Sequence, residues 1–108
     1  MNLICLITVP PAIHGLENIT IVDGMPATFA VEICGHPFPE ISWSKDGEYL
    51  NLEDDLITMT PSEKAITLHI AKARASDSGE YKLELKNEVG NTASLANLVV
   101  HGRIFQKL

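Results

Sequence analysis

Asp77-Ser78-Gly79-Glu80-Tyr81-Lys82-Leu83-Glu84-Leu85-Lys86 is the stretch on which the fold turns. From Glu80 onward, Tyr81, Leu83 and Leu85 fall on one side of an extended chain, while Glu and Lys alternate on the other. This period of two suits a strand with one face in a core and the other in water. A helix, with its period of about 3.6, would scatter the three apolar residues around its circumference. Ser78 and Gly79 supply the turn chemistry that brings the chain into the strand.

The same alternation recurs on both sides. Upstream, Ile66, Leu68 and Ile70 alternate with Thr67 and His69, and Leu56 to Thr60 forms a strand broken by Pro61 and Ser62. Ile41 and Trp43 point inward and Ser42 and Ser44 outward. Lys45-Asp46-Gly47-Glu48 then makes a tight hairpin, because Asp-Gly tolerates positive φ, and Tyr49 and Leu50 start a short return strand. Earlier still, Ala27, Phe29, Val31 and Ile33 share a face. His36-Pro37-Phe38-Pro39 forms a crossing loop, since its prolines cannot donate to a ladder. Downstream, Asn87 to Gly90 turns the chain, and Ser94, Ala96, Leu98 and Val100 line the inner side of a last strand. Seven or eight short strands at intervals of roughly 8 to 12 residues, with no helical period, define an all-β sandwich or barrel.

Three motifs then stand in order: Gly35-x-Pro37-x-Pro39-x-Ile41-x-Trp43-x-Lys45-Asp46-Gly47, Asp77-Ser78-Gly79-Glu80-Tyr81, and Asn87-Glu88-Val89-Gly90. Together they resemble the immunoglobulin I-set pattern from about Pro10 to Val100, and are most similar to the intracellular Ig domains of titin- and twitchin-type giant muscle proteins. The resemblance implies an immunoglobulin-like β-sandwich, two packed antiparallel sheets with Greek-key connections, over residues 10–101. Residues 1–9 form an N-terminal extension and 102–108 a tail. It further implies a structural core of Val31, Trp43, Leu68, Tyr81 and Leu83. A tyrosine-corner turn of Asp77, Gly79 and Tyr81 would aim the Tyr81 hydroxyl at a backbone group between Lys72 and Asp77. In this alignment Val31 and Leu83 occupy the positions of the inter-sheet disulfide of extracellular relatives. A crosslink worth roughly 4 kcal/mol must therefore be offset by aliphatic packing on Trp43. That absence implies a reducing, cytoplasmic setting. Cys34 is out of phase with Val31 and Ile33 and faces outward, and Cys5 lies outside the motifs. Both are expected to be free, although neighbouring first and second strands leave a nonstandard bridge open.

Composition narrows the function. The chain has 108 residues, one domain's worth, with 45% apolar and 20% charged content. Eight basic against fourteen acidic residues give a net charge of -6, which disfavours nucleic acid and anionic membrane surfaces. The apolar run Leu3 to Ile7 is too short for a signal or a span. His14, His36, His69 and His101 show no ligand spacing, and neither a phosphate loop nor a nucleophile motif occurs, so no catalytic, cofactor or metal site is expected. Asn18-Ile19-Thr20 is a glycosylation triplet of the kind that arises by chance. The Glu80, Lys82, Glu84, Lys86, Glu88 series and the Glu53-Asp54-Asp55 cluster read as hydrated surface. The expected function is a non-catalytic spacer and docking unit of a modular cytoskeletal, sarcomeric protein. Such a unit is monomeric within a longer chain and contacts filament proteins or neighbouring Ig or fibronectin type III domains. The alternatives are an extracellular adhesion or receptor domain, and a regulatory domain of a larger protein containing a kinase.

Overall fold

The computed structural model of the protein describes residues 8–53 and 55–102. Cys5, Asp54 and most of the two terminal segments lie outside the described residues. Nine strands follow in chain order: β1 (Val9–His14), β2 (Ile19–Val22), β3 (Ala27–His36), β4 (Glu40–Lys45), β5 (Glu48–Tyr49), β6 (Ile57–Pro61), β7 (Ala65–Ile70), β8 (Gly79–Asn87) and β9 (Gly90–His101). A single 3-10 turn, Ala75–Asp77, interrupts the connection from β7 to β8.

The strands form a four-stranded sheet in the order β1-β3-β7-β6 and a five-stranded sheet in the order β2-β9-β8-β4-β5. Every pairing is antiparallel except at one edge, where β2 runs parallel to β9 with Ile19 opposite Leu98 and Val22 opposite His101. The expectation of wholly antiparallel sheets is corrected there. The N-terminal strand is split: β1 adds to β3 in one sheet, and after His14 the chain changes sheets to lay β2 beside β9. β1 begins at Val9, one residue inside the expected extension. Pro61 ends β6 rather than breaking it, and β6 is an edge strand, where a missing donor disrupts no ladder.

Alternation in the sequence becomes alternation in burial. Ala27, Phe29, Val31 and Ile33 of β3 and Ile66, Leu68 and Ile70 of β7 are buried from one sheet. Trp43 of β4, Tyr81, Leu83 and Leu85 of β8, and Ala96, Leu98 and Val100 of β9 are buried from the other. At the centre, the Phe29 ring lies 6.1 Å from that of Trp43 and 5.2 Å from that of Tyr81, both tilted. Tilted aromatic pairs at such separations add about 0.5–1.5 kcal/mol each beyond their burial. Val31 pairs with Ile66 and Leu83 with Trp43, so aliphatic side chains fill the sites that the resemblance linked to a disulfide. Ser44 departs from its expected exposure. It lies on the outer face, yet is only 6% exposed, because Tyr49 and Lys82 stand beside it on the adjoining strands.

Candidate functional site

Two strand ends meet at the corner preceding β8. Asp77 closes the 3-10 turn by accepting the Arg74 N–H on its carboxylate at 2.8 Å. Its carbonyl then receives the Tyr81 hydroxyl at 2.6 Å. Burial, followed by the nearby charges of Asp77 and Asp46, raises the Tyr81 pKa well above the ordinary tyrosine value. Gly79 has its own reason to be glycine. A Cβ there would run into the carboxylate of Asp46, which accepts the Glu80 N–H at 2.9 Å. Asp46 and Gly47 hold φ values of 50° and 89°, the hairpin geometry read from the Asp-Gly pair. The Asp46 N–H also donates to the Glu80 carbonyl at 2.9 Å, so the β4–β5 hairpin is pinned to the corner from both sides. Sequence reading placed Asp46 in its turn but missed this second duty.

A second clamp sits at the opposite pole. The Asn87 side-chain amide donates to the carbonyls of Val9 at 2.8 Å and Pro37 at 3.1 Å, tying together β1, the crossing loop and the β8–β9 turn. Asn87 was read only as a turn residue. Asn18, from the glycosylation triplet, is exposed and accepts the Asn97 N–H on its side-chain oxygen at 2.8 Å.

The remaining sequence candidates are dispersed. Val31, Trp43, Leu68, Tyr81 and Leu83 are all buried, and the Trp43 Nε1–H has no hydrogen-bond partner among the described residues. Cys34 is free and exposed on β3. His69 is half-buried and its Nδ1 shares a 2.8 Å hydrogen bond with the Thr28 hydroxyl. Among the described residues, no group of three or more His, Cys, Asp or Glu is placed to hold a metal, and no helix is long and apolar enough to cross a membrane. On the outer face of the five-stranded sheet, Lys82 and Glu84 make the one ion pair found among the described residues, at 3.8 Å. Tyr49 and Leu95 project from the same face, 76% and 53% exposed.

A sandwich with this strand order, a central tryptophan and a tyrosine hydroxyl turned back onto its own corner is an immunoglobulin-type module. The chain belongs to the immunoglobulin I-set domain family, whose sequence profile matches residues 10–100. It is 34% identical over 85 residues to Muscle M-line assembly protein unc-89 of Caenorhabditis elegans, and 35% identical over 96 residues to SPEG neighbor protein of Homo sapiens. Those alignments cover 79% and 88% of this chain but only 1% and 40% of the two relatives, so the chain spans less than half the length of either. Among solved structures, titin domains Z1Z2 in complex with telethonin match with a TM-score of 0.86 and 29% identity, over 91% of this chain and 51% of that one.

Proposed function

We propose that this domain is a non-catalytic mechanical spacer and docking unit of a modular muscle cytoskeletal protein. The path that tension would take through the fold carries the proposal. Val9 lies at the pole of the β8–β9 turn, held there by Asn87. From that turn β9 runs through 12 residues to His101. At about 3.3 Å per residue this separates Val9 from His101 by roughly 36 Å, at opposite poles. Pulling on these two residues drags β2 and β9 past one another along their length. A parallel ladder loaded in this way must break its hydrogen bonds together rather than in succession.

Similarity to a muscle M-line assembly protein and to titin domains supports a sarcomeric setting. The titin domains of that solved structure are in complex with telethonin, which supports a protein partner for this module as well. Single-molecule stretching tests the mechanical part. The Asp23 N–H reaches the His101 carbonyl at 2.8 Å, so by strand alternation the Ile21 N–H also points at β9. Ile21→Pro removes that donor, whereas Ile21→Ala removes packing and keeps it. The proline variant is expected to rupture at clearly lower force than the alanine variant. Equal forces would sink the tension-bearing role, and a glycan on Asn18 of protein from its natural source would overturn the cytoskeletal setting.

A further inference from the structure

The register of the five-stranded sheet lines up Tyr49, Ser44, Lys82 and Leu95 across β5, β4, β8 and β9. Tyr49 and Leu95 stand as ridges at the two ends of this row, and Ser44 forms the floor between them. The resulting groove, of about 350 Å³, is also lined by Glu80 and Glu84. A second cavity of about 350 Å³ continues beyond Tyr49, with Glu40, Ser42, Glu84 and Lys86 in its lining.

Three features of the groove are unexplained by folding alone. Ser44 is 6% exposed, yet its side chain makes no hydrogen bond among the described residues. Trp43 Nε1 is the buried side-chain polar atom without a partner among the described residues, so the Ser44 hydroxyl opens to the groove and is free to bond a group placed there. Tyr49 is 76% exposed, so its ring contributes little to the core. Carboxylates also outnumber cations along the two cavities: Glu40, Glu80 and Glu84 stand against Lys82 and Lys86, and Lys82 is paired with Glu84, on a chain whose net charge is -6.

We infer that this track receives an extended segment of a partner protein carrying two basic side chains, an Arg-x-Arg pattern, with one side chain in each cavity. A guanidinium would lie against the Tyr49 ring, donate to Glu80 and to the Ser44 oxygen, and rest its aliphatic stem on Leu95. Ser42 and Ser44 mark the two cavity floors two residues apart on β4. Alternate side chains of an extended partner, spaced about 6.6 Å, match that repeat. A second copy of this chain fits poorly, because acidic faces would meet.

This inference rests on the docking-unit role proposed above, and its test separates the two. The isotope-labelled domain is titrated by NMR with the peptide acetyl-Leu-Arg-Ser-Arg-Leu-amide, and with a rearranged peptide in which the arginines are adjacent. Saturable shifts centred on Ser44, Tyr49, Lys82 and Leu95 are expected. Binding should weaken on the order of tenfold in Tyr49→Ala and in Glu80→Gln, for the rearranged peptide, and at high salt. Unchanged thermal melts show that the two variants remain folded. Absence of saturable shifts at these residues, or equal binding by Tyr49→Ala, overturns the proposal. So do concentration-dependent shifts at the same residues without peptide, which would mean that a second copy sits there. If a filament protein binds wild type and Tyr49→Ala alike, the groove loses its assignment while the docking role stands.

Discussion

Tyr81 shows how one residue serves the core and the chain path together. Its ring packs on Phe29 while its hydroxyl closes the corner on the Asp77 carbonyl. Tyr81→Phe keeps the ring, removes the donor and strands a carbonyl, so urea denaturation near neutral pH should show a loss of about 1–3 kcal/mol. The same change should alter alkaline behaviour. Burial, then the Asp77 and Asp46 charges, holds the folded Tyr81 pKa above its unfolded value. Its contribution to stability is therefore whole below about pH 10, and is lost as pH climbs from there toward the raised folded value. Wild type should lose stability above about pH 10 more steeply than Tyr81→Phe, and parallel curves would show that this hydroxyl is not the titrating group. The Tyr81–Asp77 contact was legible because its partners lie four residues apart. Asp46 and Gly79 were legible only as turn formers, since 33 positions of sequence separate two groups that the fold sets against each other.

At the level of elements, strict alternation made β3, β7, β8 and most of β9 readable. β2 escaped notice: Ile-Thr-Ile-Val is only four residues long, and its partner β9 lies far away along the chain. No local pattern announces that it will pair in parallel. Ser44 was read correctly as outward but not as buried, because its cover comes from Tyr49 and Lys82 on separate strands. β4 offers the sharpest test of the layer packing. Trp43→Ala should cost about 3–5 kcal/mol, a large share of the roughly 5–15 kcal/mol that holds an ordinary domain folded. Trp43→Phe should cost less than half as much, since it keeps an aromatic ring beside Phe29 and deletes an Nε1–H that has no partner among the described residues. Equal losses in thermal or chemical denaturation would mean that the indole's polar edge, not its area, anchors the layer.

For the whole molecule, the placement of Val9 and His101 at opposite poles predicts a directional resistance that no single contact supplies. Force applied at Val9 and His101 acts along the strands, because β9 runs from one pole to the other with β2 parallel beside it. Force applied instead between Val9 and Glu88 acts between two points at the same pole, where Asn87 links β1 to the β8–β9 turn. That second geometry pulls β1 away from its neighbours across the ladder, and bonds can then open one after another. Handles attached through cysteines introduced at those positions in a Cys5→Ser, Cys34→Ser background would compare the two directions within one fold. The end-to-end geometry is expected to rupture at markedly higher force than the same-pole geometry, with little change in equilibrium stability between the two preparations. Comparable rupture forces would show that resistance comes from the core as a whole, which both geometries must eventually break, and not from the sheared β2–β9 ladder.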